Sequence, residues 1–502
     1  METILNRISR LFEEKKSSKR NSLSLYLLIF NLIKESILNN DIPEGSILPS
    51  TRTLANRLKT SRSTIIKAYE QLIMQGYIES KAGSGHRVKN RITDSFHSKS
   101  IVFNFSRYPA LSEAGKSFQK SVTIMNIFDD GCIAFKPDLP PLDIFPVNQW
   151  KNITNTYWRY IKASDLTYSA SSGTMHLKKT LANYLNLSRN IKCDASQIII
   201  VSGSVQSLYL IGNVLLNPGD AVAIENPTFP NIHAIFKGLR AHIHAVPVDQ
   251  EGLKVSDLND ITQQNIKLVH TVPSCHYPTG VKMSLKRRLE LLKWANENKA
   301  IIIENDYEHE VNNYQDFIPS LYSLDTEQRT VFLGTFNRIL HPSIRVGYMV
   351  VPYYLLNPIE ALLKHSHRFV PSSIQVVLSH FIEKNYLYKH IKNVIEIIEE
   401  RKKIFYETFE NCFGSKLSLD PRSTLSLHTL AVLPEGLKDT ALAYIFAKNN
   451  IRVYEYSRCF VDSNIKQGLI LGVAPVRAPI IKENIIKMEQ IFREYSKVQL
   501  TE

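Results

Sequence analysis

The chain has 502 residues, 44% apolar and 22% charged, a length that implies two or more folded units and a composition that excludes disordered and fibrous proteins. Its formal net charge is +14, and residues 1–90 alone hold 15 Lys/Arg against 8 Asp/Glu, which points to a polyanion partner or to a solvated basic face. Five scattered cysteines (Cys132, Cys193, Cys275, Cys412, Cys459), odd in number and without metal-ligand spacing, fit a reducing, cytoplasmic setting and argue against disulfides or a zinc site.

The first apolar run, Leu23 to Ile33, is too short to cross a bilayer and follows Glu13 and Glu14, so it reads as a buried helix. Residues 25–39 carry apolar positions at helical spacing and end in the turn Asp41–Gly45. In LPSTRTLANRL, Ser50 or Thr51 caps a helix running through Leu58; after a turn at Lys59-Thr60, Ser61–Thr64 caps a second helix ending at Gly76. YIESKAGSGHRVKN then reads as strand, glycine turn, strand, with its tip at Gly83-Ser84-Gly85. Two short helices across a tight turn form a helix-turn-helix, whose second helix enters the DNA major groove by its N-terminal residues.

These residues, LPSTRTLANRL and SRSTIIKAYEQLIMQGYIESKAGSGHRV, resemble the GntR-type winged helix over its whole length. The resemblance implies double-stranded DNA as partner, met by Arg52, Ser61, Arg62, Thr64 and Gly85, with His86 beside the wing tip. The chemistry agrees, because arginine offers paired donors to guanine or phosphate and small hydroxyls suit phosphate oxygens. The competing reading has Arg52 and Arg62 pairing with the domain's own carboxylates.

Three segments are expected: a winged helix-turn-helix over 20–90, a linker over 91–130 and a large domain over 131–495. In the last, strand-like runs at 198–204, 220–227, 266–274, 299–307, 330–336 and 346–352 alternate with helical patterns, predicting an α/β fold with ligands in the loops after the strands. The stretches FKPDLPPLDIFP, LTYSASSGTMHLK, VSGSVQSLYL, NPGDAVAIENPTFP, TVPSCHYPTGVKMS, IIIENDYEHEV and LGTFNRILHPSIRVGYMVVP resemble, in register, the aminotransferase-like domain of MocR regulators, a fold-type I pyridoxal-phosphate architecture. That resemblance implies a mostly parallel central sheet with flanking helices, a smaller C-terminal α+β subdomain, and a dimer arranged head-to-tail.

Residue by residue, it implies that Gly203, Ser204, Val205, Thr335 and Arg345 hold the cofactor phosphate, that Phe229 stacks on the pyridine ring and that Tyr307 lies near the ring hydroxyl. Where the family has its Schiff-base lysine this chain has Arg338, fixed in register by Gly334-Thr335-Phe336 and His341–Tyr348. A guanidinium stays protonated and cannot act as an amine nucleophile. Where the family pairs an aspartate with the pyridinium nitrogen, this chain has Asn305, which brings no charge; Asp306 is expected on the opposite strand face. Ile470 stands about where aminotransferases place an arginine for the substrate carboxylate.

No residue is therefore expected to be catalytic, and no metal site is expected, His176, His276, His309 and His341 lacking ligand spacing. Arg338 is free in this reading to pair with a ligand phosphate or carboxylate. Cys275 reads as an inert thiol, and Lys282 as the one nearby lysine able to approach a cofactor aldehyde. The leading expectation is a DNA-binding regulator that binds pyridoxal 5'-phosphate non-covalently at most, or another small phosphorylated or carboxylate effector. The alternatives are an aminotransferase using another amine and a DNA-binding protein whose large domain serves only dimerisation.

Overall fold

The computed structural model describes residues 2–16, 24–81, 85–89, 109–125, 134–260, 265–311, 317–366, 368–462 and 464–499. The chain divides into two units, residues 1–110 and 111–502.

In the first unit, α1 (Glu2–Lys16) and α2 (Leu25–Leu38) pack with α3 (Thr51–Arg57) and α4 (Arg62–Met74), followed by the antiparallel pair β1 (Ile78–Lys81) and β2 (Gly85–Val88). Hydroxyl caps set both helix starts: Ser50 Oγ accepts from the Thr53 amide at 3.1 Å and Ser61 Oγ from the Thr64 amide at 3.2 Å. β2 is flanked on its other side by residues 46–48, through Leu48 N to His86 O at 2.8 Å and Val88 N to Ser46 O at 3.0 Å. Gly83 and Ser84, the expected wing tip, lie outside the described residues. Helix α1 precedes the expected start of the domain at residue 20, because its apolar positions, Ile4, Leu5, Ile8, Leu11 and Phe12, stand among charges; Ile8 and Phe12 are nonetheless fully buried in the core with Ile29 and Ile33.

The second unit begins inside the stretch expected to be linker. Helix α5 (Glu113–Ser121) is capped by Ser112 and packs on α9 (Pro230–Gly238); Ser117 Oγ donates to Lys237 O at 2.8 Å and the Phe118 ring lies 5.9 Å from that of Tyr209. A Cβ at Gly238 would run into the Phe118 ring, so glycine there permits the close approach. The remaining residues of 91–130 that are described carry only a 3-10 turn at Val122–Ile124.

Eight strands form the main sheet in the order β3 (Ile198–Val201), β10 (Gly347–Val350), β9 (Thr330–Thr335), β8 (Ile301–Asp306), β7 (Ile266–Thr271), β4 (Ala221–Asn226), β5 (His242–Asp249), β6 (Gly252–Leu253). The central ladder from β9 to β5 is parallel, while β10 runs against both its neighbours. Runs such as Ile198–Val201 and Ile301–Ile303 are buried on both faces, which is why they are continuously apolar rather than alternating. The helices α6 (Val147–Tyr160), α7 (Met175–Arg189), α8 (Ser204–Leu215), α9, α10 (Val255–Asn259), α11 (Leu285–Asn298), α12 (Leu321–Leu324), α13 (Tyr353–His365) and α14 (Ser372–Glu383) belong to this body. The long α15 (Tyr386–Phe413) leads to an antiparallel sheet ordered β11 (Ser418–Leu419), β12 (His428–Val432), β14 (Gly468–Gly472), β13 (Tyr454–Glu455), which with α16 (Asp439–Lys448) and α17 (Ala478–Gln499) forms a smaller α+β part with its own core.

Phe12→Ala removes a buried ring from the α1–α2 contact and is expected to destabilise the first unit by roughly 3 kcal/mol, seen as an early transition in urea unfolding; an unaltered profile would mean that α1 is not part of that core.

Candidate functional site

In the N-terminal unit, Arg52 is the second residue of α3 and Arg62 the first of α4. Both are exposed, and among the described residues neither is ion-paired with a carboxylate, so the reading in which they serve internal salt bridges is not favoured. Ser61 and Thr64 engage one another in the cap, with Ser61 Oγ 2.7 Å from Thr64 Oγ1, leaving the helix N-terminus solvated beside Arg62. Gly85 opens β2 at a φ of 80°. His86 does not share that outward face. Strand alternation turns it inward, its ring edge-on to Tyr69 at 4.9 Å, and burial lowers its pKa. Arg87, the next residue, is exposed and takes the outward position that the sequence reading gives to His86.

In the large unit, one cavity of about 250 Å³ is lined by all eight residues expected to hold a cofactor: Gly203, Ser204, Val205, Phe229, Asn305, Tyr307, Thr335 and Arg345. The fold explains the convergence, since Asn305 and Thr335 stand at the C-terminal ends of parallel strands and Gly203 links β3 to α8. Gly203 has a φ of 138°, open to glycine, and directs the first turn of α8 at the cavity; free amides there attract anions. Arg345, exposed and with no ion pair among the described residues, lines the same end. Phe229 is the N-cap of α9 and meets Tyr277 edge-on at 5.0 Å.

Arg338 also lines the cavity but is not available to a ligand in the way its sequence position suggests. One terminal nitrogen lies 2.7 Å from Asp138 Oδ1 and the other 3.5 Å from Glu308 Oε1, and its guanidinium stands 4.8 Å from the centre of the Tyr307 ring. Burial opposes its charge, but Asp138 and Glu308 outweigh burial and hold the guanidinium above its ordinary pKa. Glu308 Oε2 in turn accepts from Ser426 Oγ at 2.7 Å and from the Leu427 amide at 3.2 Å. Neither carboxylate was legible as a partner, because 138 and 338 are distant in the chain.

Strand alternation separates Asn305 from Asp306 as expected. The Asn305 amide nitrogen lies 3.4 Å from His270 Nε2, an imidazole that burial and the neighbouring His276 keep neutral, with a pKa lowered to about 3. Asp306 points away, paired with Arg189 at 2.5 Å, and Arg189 also donates to Ser274 at 3.0 Å. Ile470 is fully buried in a cluster with Tyr277, Tyr307 and Tyr454, so an apolar group stands there. Lys282 does not line the cavity; Lys136 does, with Asp138, Asn231, Asn337 and Tyr454, and none of these five was singled out from the sequence. Cys275 is buried, which pushes its thiol up; its carbonyl accepts from Tyr307 Oη at 3.2 Å.

A neutral network holds the turn that presents Phe229. Glu225, at the end of β4, accepts from Thr271 Oγ1 at 2.6 Å and from the Val272 amide at 3.0 Å. His276 Nε2 lies 3.0 Å from Pro227 O and therefore carries the proton, while Nδ1 accepts from Thr279 Oγ1 at 2.7 Å. Burial pushes Glu225 up to about 8 and His276 down to about 3, so the two, 3.7 Å apart, meet as neutral groups. From the smaller part of the unit, Val461 N donates to Asn226 Oδ1 at 3.0 Å and Cys459 O accepts from Thr228 N at 2.8 Å, closing over the same turn.

The fold and the cavity define a fold-type I aminotransferase-like body carrying a winged helix-turn-helix. The chain belongs to the family of class I and II aminotransferases, whose sequence pattern matches residues 145–453, and residues 25–88 match the gntR family of bacterial regulatory proteins. It is 28% identical over 464 residues to the probable rhizopine catabolism regulatory protein MocR of Rhizobium meliloti, covering 92% of this chain and 93% of that protein. It is 29% identical to the uncharacterized HTH-type transcriptional regulator YdeL of Bacillus subtilis, covering 94% and 97% of the two chains. The kynurenine aminotransferase of Pyrococcus horikoshii superposes with a TM-score of 0.67 at 26% identity, covering 79% of this chain and 97% of that one. Among the described residues no helix is long and apolar enough to cross a membrane.

Because the folded pKa of Glu225 is raised, its contribution to stability is complete below about pH 4.5 and is lost as pH rises towards about 8, a change of at most about 5 kcal/mol. Glu225→Gln, isosteric with the protonated acid, is expected to gain stability relative to the natural protein progressively from pH 5.5 to 8, read from urea midpoints; a pH-independent difference would refute the assignment.

Proposed function

We propose that the protein is a DNA-binding transcription regulator of the MocR type whose large domain binds a phosphorylated anion, pyridoxal phosphate or a relative of it, without covalent capture. The observation that carries the DNA-reading half is the pair of exposed, carboxylate-free arginines at the starts of α3 and α4. Arg62 meets base edges or phosphate at the groove, Arg52 anchors the adjacent backbone, and Ser61, Thr64 and Gly85 contribute small groups beside them. Two such units on paired half-sites need a dimer. Dimerisation is supported by the large apolar side chains left exposed on the second unit, Trp158, Tyr160, Leu166 and Tyr168, and the resemblance implies that the dimer is head-to-tail.

The cavity residues fit a phosphate and a flat ring but not imine chemistry. The start of α8, Thr335 and Arg345 would hold the phosphate; Phe229 would pack on the ring, and Asn305 would offer its nitrogen an uncharged amide. When bound in family enzymes, the cofactor supplies an electron sink reached through a lysine; here that position is a guanidinium held by two carboxylates. The chain is accordingly not an enzyme in this reading. A second reading, an aminotransferase with an attached DNA-binding domain, needs another amine in place of Arg338; Lys136 is the lysine among the residues lining the cavity.

Sodium borohydride treatment of the protein mixed with pyridoxal phosphate, followed by mass measurement, separates the two. No fixed cofactor is expected with the natural chain; adduct formation that Lys136→Ala abolishes would overturn non-covalent binding, and half-transamination with a panel of amino acids would then be required to establish the second reading. Arg338→Lys is expected to gain a reducible adduct, favoured at alkaline pH, because Asp138 and Glu308 would keep the new ammonium protonated near neutrality. For the DNA-reading half, Arg62→Ala should weaken binding to a selected operator at fixed salt by roughly ten- to a hundredfold; an unchanged isotherm overturns the placement of α4 in the groove.

A further inference from the structure

We infer that His176, His380 and Glu383 form a binding site for a zinc-class divalent cation, away from the cofactor-type cavity. The three residues come from two packed helices. His176 is in the first turn of α7, and His380 and Glu383 lie three apart on one face of the last turn of α14. Their potential ligand atoms all lie within 4.8 Å of one another. Glu383 sits between the imidazoles, with Oε1 2.6 Å from His176 Nε2 and Oε2 3.2 Å from His380 Nδ1. A tetrahedral zinc ion bound to nitrogen and oxygen sets neighbouring donors about 3.3 Å apart. Side-chain adjustments of under about 1 Å at half-exposed residues therefore convert the hydrogen-bonded triad into a coordination set.

The chemistry of the donors selects the ion. Two imidazoles and one carboxylate suit zinc and its borderline neighbours, whereas calcium and magnesium demand oxygen shells. Outer support is present, since Thr180 Oγ1 lies 2.9 Å from Glu383 Oε1 and fixes the carboxylate. Three protein ligands leave a fourth position for water. His380 also lines a cavity of about 580 Å³ with Thr174, Tyr157, Tyr160 and Lys384, so that position has open space beside it. The ion would clasp α7 to α14, helices that are far apart in sequence and jointly cover the core under β3 and β10.

The test uses the full-length protein, stripped with a chelator and titrated with zinc against a chromophoric competitor, then with cobalt to read visible absorption. One zinc per chain is expected, together with a cobalt spectrum typical of four-coordinate nitrogen and oxygen ligation. His176→Ala and His380→Ala should each weaken zinc by at least about tenfold and abolish that spectrum. His380→Cys, which keeps a donor, should retain binding and add a thiolate-to-cobalt band. Zinc uptake in the natural chain no greater than in the His176→Ala/His380→Ala double variant, with circular dichroism unchanged, overturns the site.

Discussion

A guanidinium buried where the sheet meets the cavity must find its counter-charges inside the protein, and the arrangement of this site follows from that requirement. Arg338 draws Asp138 from the entry segment and Glu308 from the loop after β8, and Glu308 reaches on to Ser426 and Leu427 in the smaller part of the unit. Three pieces of chain are thereby joined by protein charge and hydrogen bonds. One end of the cavity is built from the α8 N-terminus and Arg345, while Arg338 and Asp138 bring an internal salt-bridge cluster to it.

Around Asn305 and the Phe229 turn the site is uncharged. Asn305 brings no charge, His270 behind it is held neutral by burial, and Glu225 and His276 meet as a neutral pair beneath the Phe229 turn. The ionised groups nearby, Asp306 and Arg189, face the other side of the sheet and satisfy each other. Beside Asn305 the cavity therefore offers hydrogen bonds and not a counter-charge.

Much of this was legible in the chain. The strands were readable because burial on both faces makes them unbroken apolar runs, and the α3 and α4 starts because Ser50 and Ser61 stand at cap positions. Arg338 could be placed because flanking residues fix its register. What escaped was set by long-range packing. Asp138 and Lys136 reach the cavity, and Glu308 reaches Arg338, through tertiary contact, as His176 and Glu383 do in meeting across a separation of 207 residues. Helices α1 and α5 were missed for another reason: short amphipathic segments rich in charge read as solvent-facing until a partner surface is known. The inward turn of His86 escaped because the strand phase is decided by which neighbour fits against Tyr69.

Helix α5 has a mechanical consequence. It rests on α9 through Ser117 and on α8 through the Phe118–Tyr209 contact, and those are the two helices whose first turns face the cavity with Ser204 and Phe229. A molecule wedged between these turns pushes on both, and a close-packed interior transmits such a push instead of absorbing it. Helix α5 straddles the pair, so a relative displacement of α8 and α9 would be borne by its Ser117 and Phe118 contacts.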